Sequence, residues 1–193
     1  MGLNLYKSLS EEALAKACCQ RDGRAQSLFY EKFAPIMYPL CLRYVREVSE
    51  AEDVMISGFM KAFDKIDSYS GKGSLGGWLR RIMINQALGH LRKNKTMYLA
   101  VDIETVEYQS NLTWPDDHLE AEDLIKLVCQ LPLGYRTVFN LYVIEGYSHK
   151  EISGLLEINE NTSKSQLSRA RGWLQKQLLM EEASINYKIT NNE

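Results

Sequence analysis

The sequence predicts an all-α protein built as two small helical domains. No Val/Ile/Thr-rich alternating segment occurs, while apolar residues recur at three- and four-residue spacing from Ser10 to Arg92 and again from Leu124 to Leu174. Between them, Met97–His118 has no sustained helical period, contains Pro115 and is acidic, which marks a tether between two units. A chain of 193 residues is long enough for two such cores.

Taken in order, Met1–Leu9 reads as a frayed start. A helix follows from Ser10 to about Gln20, with Leu14, Ala17 and Cys18 on one stripe and Arg21-Asp22-Gly23 as its stop. Arg24–Ala34 carries Ala25, Leu28, Phe29 and Phe33, and Pro35 is expected to end it and open a third helix with the ladder Ile36, Leu40, Tyr44, Val48. Ser49-Glu50-Ala51-Glu52 has the capping-box pattern, so a fourth helix is expected from Glu50 to about Ile66, with Val54, Phe59, Ala62 and Phe63 inward. Asp67–Ser70 breaks it.

The stretch Gly71–Lys95 holds Lys72, Arg80, Arg81, Arg92, Lys93 and Lys95 and no acid, in a chain whose net charge is only -2. Gly71, Gly73, Gly76 and Gly77 surround Ser74, a candidate N-cap for a helix from Leu75 to Arg92. Leu75, Leu79, Ile82 and Met83 fall on one face and Ile84, Ala87, Leu88 and Leu91 on another, so this helix is expected to be packed from two sides. The remaining edge carries Trp78, Arg81, Asn85 and Arg92. Ring faces to stack on, with cations for phosphates, are what a strand of unstacked bases requires. A core Trp beside a solvated basic face is the alternative. An acidic block abuts this basic one, because Thr96–Ile125 has no Lys or Arg.

In the second unit Leu124, Leu127, Val128 and Leu131 restart the helical spacing, Pro132 stops it, and Val138, Leu141 and Tyr142 continue in another helix ended by Glu145-Gly146-Tyr147. Ser148–Glu151 is a capping-box pattern opening a short helix with Ile152, Leu155 and Leu156 inside. Glu157-Ile158-Asn159 makes a turn, and in the next helix Ser163, Leu167, Ala170 and Leu174 line one face while Asn161, Lys164, Ser165, Ser168 and Arg169 occupy the other. Short helix, tight turn and longer helix with a polar, basic outer face is a helix-turn-helix, whose second helix enters the major groove. That geometry also occurs in proteins that do not touch DNA.

The bland composition excludes several function classes. Cys18, Cys19, Cys41 and Cys129 lack CxxC pairing and His partners at ligand spacing, so they read as buried thiols of a reducing compartment, with no metal or cofactor implied. No signal peptide or membrane span is visible, which points to a cytoplasmic protein that does not insert in a membrane. No phosphate loop, HExxH helix or nucleophile elbow is present, so an enzyme is not expected.

Two stretches carry a family resemblance. AEDVMISGFMKAFDKIDSYSGKGSLGGWLRRIMINQALGHLRK, Ala51–Lys93, and LPLGYRTVFNLYVIEGYSHKEISGLLEINENTSKSQLSRARGWL, Leu131–Leu174, resemble the two motif blocks of bacterial RNA polymerase sigma factors of the extracytoplasmic-function (ECF) type in the sigma-70 family, which carry only regions 2 and 4. The chain departs from the pattern at Ile56-Ser57, where Gln-Glu is usual, at Ser163, where an apolar residue is, and at Gly89, where Asp is common.

The resemblance implies a region 2 domain over residues 1–95, an acidic linker over 96–118, a region 4 helix-turn-helix domain over 119–183 and a tail over 184–193. It implies that Asp53, Val54 and Phe59 bind core RNA polymerase. It places Ser68, Tyr69, Lys72 and Ser74 in a loop that receives a base flipped from the -10 element, with Trp78, Arg81, Asn85 and Arg92 on melted promoter DNA. Asn161, Thr162, Lys164, Ser165, Gln166, Ser168 and Arg169 would meet the -35 element. Core polymerase, promoter DNA and an anti-sigma factor are the implied partners, and the linker would thread toward the polymerase active centre. A free-standing helix-turn-helix regulator binding an operator as a dimer is the alternative function.

Overall fold

The structure is a computed structural model that describes the backbone of residues 9–93 and 119–190 and the side chains of 9–93 and 124–180. The expected frayed start and the acidic tether over 96–118 lie outside the described residues. Among the described residues every regular element is helical. Contacts divide the chain into two units, Met1–Lys93 and Asn94–Glu193.

The first unit opens with α1, Glu11–Cys19, whose N-cap Ser10 accepts a hydrogen bond from the Ala13 amide. Helix α2 spans Gly23–Val45 and is capped by the Asp22 carboxylate, which accepts from the Arg24 amide at 2.9 Å. The sequence expectation of a break at Pro35 is wrong: Pro35 and Pro39 both lie inside one continuous helix. Each proline deletes one backbone hydrogen bond and costs about 3 kcal/mol in a helix interior. Against this, the helix buries Phe29, Phe33, Met37, Leu40, Cys41 and Tyr44 along one side, and each large apolar side chain is worth about 1.5–3 kcal/mol. Packing on both sides of the prolines therefore outweighs the local break. The expected ladder holds at its centre, where Leu40 and Tyr44 are buried, but not at its ends, where Ile36 is 54% and Val48 47% exposed; Met37 and Cys41 join the inward side.

Helix α3, Val48–Lys65, starts ahead of the expected capping box. Ser49 lies inside its first turn and its hydroxyl donates to Glu47 Oε1 at 3.5 Å, so it caps nothing. A 3₁₀ turn, Ile66–Ser68, leads through the glycine loop to α4, Leu75–Lys93. Helix α4 packs against both α2 and α3, burying Leu75, Leu79, Met83, Ile84, Ala87, Leu88 and Leu91, which agrees with the two-sided pattern. Phe29 sits at the aromatic centre, with ring centroids of Phe33, Phe63 and Phe59 at 4.9, 5.4 and 6.1 Å. Cys18 and Cys41 are buried as expected and Cys129 is too, but Cys19 is exposed, because it falls off the α1 stripe at the helix end.

The second unit comprises α5, Leu119–Gln130, α6, Leu133–Phe139, which continues as a π-helical turn Asn140–Ile144, then α7, His149–Leu156, and α8, Glu160–Thr190. Pro132 lies just beyond the end of α5, as expected of a residue that stops it, and is the N-cap of α6. Leu127, Val128, Leu131, Ala170 and Leu174 form a core closed by Tyr135, Phe139 and Trp173. Arg136 is 2% exposed and donates from Nη1 to the Cys129 carbonyl at 3.3 Å, a buried cation that the apolar pattern does not reveal. Helix α8 runs to Thr190, beyond the domain end expected at residue 183.

Candidate nucleic-acid interface

In the first unit the loop before α4 is tied at several points. Ser74 caps α4 as expected, its Oγ accepting from the Gly77 amide at 3.0 Å. The Tyr69 hydroxyl donates to the Gly73 carbonyl at 2.8 Å, which closes the loop on itself. Gly71 and Gly73 have φ of 72° and 86°, a backbone region that favours glycine, so the GKG spacing is a geometric requirement of this turn. The Tyr69 and Trp78 rings stand 5.9 Å apart and tilted by 56°. Ser68, Lys72 and Ser74 are exposed and Tyr69 is half-buried.

Along the edge of α4, Arg81 and Asn85 are exposed while Trp78 and Arg92 are half-buried. The loop and the edge thus meet at the Tyr69–Trp78 pair. Burial, followed by the carboxylates of Glu11 and Glu12, pushes the Tyr69 phenol above its ordinary value, so the hydroxyl stays protonated and remains a donor.

The expected polymerase-contact residues divide. Asp53 is exposed, but Val54 and Phe59 are each 3% exposed and belong to the interior of the unit. They face inward because α3 turns its apolar stripe to α2 and α4, so of the three Asp53 alone presents its side chain at the surface. Two outward apolar residues of α3, Ile56 at 49% and Met60 at 64% exposure, share a face with Asp53 by their spacing.

In the second unit the helix-turn-helix forms as the sequence suggests. Ser148 and Glu151 make the reciprocal capping box at the start of α7. Glu157 ends α7 in the left-handed region at φ 56°, ψ 37°. The Asn159 side chain then accepts from the Asn161 amide at 2.8 Å, opening α8. His149 Nδ1 and Ser163 Oγ lie 2.9 Å apart and hydrogen-bonded, which satisfies a hydroxyl that is 0% exposed where an apolar residue would otherwise sit. The His149 ring also stacks on Tyr142 at 4.4 Å.

On the outer face of α8, Asn161, Lys164, Ser165, Ser168 and Arg169 are exposed and Thr162 is half-buried. Gln166 departs from the expectation. It is 6% exposed, and its side chain lies so close to Gly134 on α6 that a Cβ there would stand 3.2 Å from Gln166 Nε2. At helical spacing residue 166 follows Ser163 and precedes Ala170, both inward, so Gln166 belongs to the buried seam and not to the outer face. Lys164 pairs with Glu160 one turn back at 2.8 Å. The hydrogen bond from Lys164 and its charge hold the Glu160 carboxyl below the ordinary range. An open cavity of about 450 Å³ beside this face brings Arg171 and Tyr142 next to Lys164 and Ser168. Arg171 is not among the residues that the sequence resemblance implies, although its spacing from Lys164 and Ser168 is helical.

Comparison with known proteins gives the same division. Residues 29–96 match the family model for Sigma-70 region 2 and residues 121–174 that for Sigma-70, region 4. The ECF RNA polymerase sigma factor SigW of Bacillus subtilis is 32% identical over 154 residues, covering 74% of this chain and 82% of that protein. The ECF RNA polymerase sigma-E factor of Haemophilus influenzae is 26% identical over 186 residues, covering 90% of this chain and 98% of the relative. Among solved structures, the sigma factor RpoE of Bartonella quintana, in complex with the anti-sigma factor NepR, matches with a TM-score of 0.52 at 25% identity, covering 79% of this chain and 95% of that one. With both regions present in order and in helical form, this chain belongs to the ECF group of the sigma-70 family, the RNA polymerase sigma factors that initiate transcription.

Proposed function

We propose that the two units read the two boxes of one promoter from a shared polymerase platform. The Ser68–Ser74 loop and the outer edge of α4 take the opened -10 element, and the outer face of α8 takes the duplex -35 element. Extracting a base from the stack costs a few kcal/mol, and stacking on an aromatic side chain returns about 1–3 kcal/mol per base. Trp78, backed by Tyr69, supplies the ring, Arg81 and Lys72 supply charge, and Asn85 supplies an amide. In the major groove, Lys164 and Arg169 reach phosphates and Asn161, Ser165 and Ser168 reach base edges or sugar.

Core polymerase is assigned to the outward edge of α3 through Asp53, Ile56 and Met60, with Val54 and Phe59 shaping that edge from within. Net charge of -2 gives the free chain little general attraction for DNA, so each module depends on polymerase to bring it to its box. Such a protein works in the cytoplasm. No described helix is long and apolar enough to cross a membrane. The complex formed by the Bartonella relative supports an anti-sigma partner for this chain as well.

The observation that carries the assignment is the half-buried Trp78 ring 5.9 Å from Tyr69, with Arg81 and Asn85 exposed on the same edge. Its test is Trp78→Ala in reconstituted holoenzyme. Open-complex formation should fall about tenfold, the equivalent of one lost base stack, with core affinity unchanged within about twofold. Equal loss of both would make Trp78 a packing residue.

A further inference from the structure

The glycine loop and the first turn of α4 are held from outside, by the helix that begins the described chain. The Glu11 carboxylate on α1 accepts a hydrogen bond from the Leu75 amide at 2.6 Å across 64 residues of sequence. Its other oxygen faces Lys32 on α2 at 3.6 Å. One residue on, Glu12 lies against the loop so closely that a Cβ on Gly71 would stand 3.3 Å from Glu12 Oε1. Ser74 and Glu11 thus divide the first amides of α4, Ser74 taking Gly77 and Glu11 taking Leu75. Phe33 closes the same turn from α2, since a Cβ on Gly76 would be 3.1 Å from its Cε1.

From these contacts we infer that Glu11 is a positioning residue for promoter opening: it fixes the start of α4 and the loop before it, and so sets the placement of the Trp78 ring, backed by Tyr69, on which an extruded base stacks. The inference rests on the function proposed above for that loop. Two physical consequences make the role more than a stabilising contact. A carboxylate already satisfies the Leu75 amide, so promoter phosphate does not gain the dipole of this helix end and must be met by Lys72 and Arg81 instead. The contact also couples α1, which lies outside the proposed DNA interface, to the geometry of the loop. No local pattern in the sequence reports it, because the partners are distant in the chain.

The test uses full-length holoenzyme carrying Glu11→Ala or Glu11→Gln, on a promoter recovered by transcription from genomic fragments. The amide oxygen of Gln can accept the same hydrogen bond, so Glu11→Gln is the rescue. Amide exchange across residues 74–79 reads the structural step and 2-aminopurine fluorescence in the -10 element reads base extrusion. With Glu11→Ala, exchange at Leu75 should accelerate by about tenfold relative to α3 amides. Base extrusion should slow by about tenfold and lose its preference among bases at the extruded position, while core affinity stays unchanged within about twofold and Glu11→Gln restores most of both. Unchanged exchange at Leu75 would overturn the positioning role alone. Faster exchange with unchanged extrusion would overturn both that role and the assignment of the loop. A parallel fall in core affinity, thermal stability and extrusion in both variants would reduce Glu11 to a fold-stabilising residue.

Discussion

The distance between α3 and α4 is set at Gly58. A Cβ added there lands on Met83 Sδ and stands 2.9 Å from its Cε. In an isolated helix, Gly→Ala would gain about 1 kcal/mol. Here Met83 is 0% exposed and has no solvent to swing into, so its thioether must take a poorer rotamer at a cost of about 1–3 kcal/mol. Gly58→Ala should therefore be neutral to destabilising by about 2 kcal/mol. Met83→Ala alone should cost about 2–5 kcal/mol. In the Met83→Ala background the clash is gone and the new methyl enters the vacated space, so adding Gly58→Ala should now stabilise by about 1 kcal/mol. The resulting coupling of about 1–3 kcal/mol can be read by a double-mutant cycle in urea, following amides of α4 in the full chain. Additivity within about 0.5 kcal/mol would refute the close α3–α4 approach.

Other predictions concern the two faces of α8 and the thiols. Arg169→Glu should weaken promoter binding by holoenzyme and make the salt dependence shallower by about one unit of slope, whereas Gln166→Ala should lower the stability of the second unit and leave that slope unchanged. Glu157 occupies a left-handed position at the turn between α7 and α8, so Glu157→Gly should raise the melting temperature of that unit, with a gain of about 1 kcal/mol. Iodoacetamide should label Cys19 first, because burial pushes the Cys18 thiol up to about 11 and the Cys41 thiol up to about 12, leaving little thiolate at pH 8. A raised thiol value in the folded state means that this stability is present below the ordinary value of 9.0 and is lost as pH rises toward 12. Chemical denaturation from pH 8 to 11 should show this loss, and Cys41→Ala should reduce it.

Much of the fold was legible because its signals are local. The two-sided apolar pattern of α4, the capping box at Ser148 and the Asn159 cap need only neighbours in sequence, and all three are found. Pro35 misled for the opposite reason: its local preference is overridden by burial of Phe29, Phe33, Met37 and Leu40, a tertiary effect. The same holds at Ser49, where packing begins α3 before its capping residues.

The candidate interface was legible where helical spacing places residues on an edge, as for Arg81, Asn85, Lys164 and Arg169. Polarity does not mean exposure at Gln166, which is buried against Gly134. Motif position does not mean exposure either, since Val54 and Phe59 face inward and Ile56 and Met60 face out. Glu11 gave no local signal at all, because its partner is 64 residues away.

The most direct measurement of the central claim is photo-crosslinking from position 78. With a benzophenone side chain replacing Trp78 in holoenzyme, irradiation of the open promoter complex should crosslink to single-stranded bases of the -10 element, and closed or duplex-only complexes should give far less. Crosslinks that go to polymerase alone, or that do not depend on promoter opening, would contradict the account.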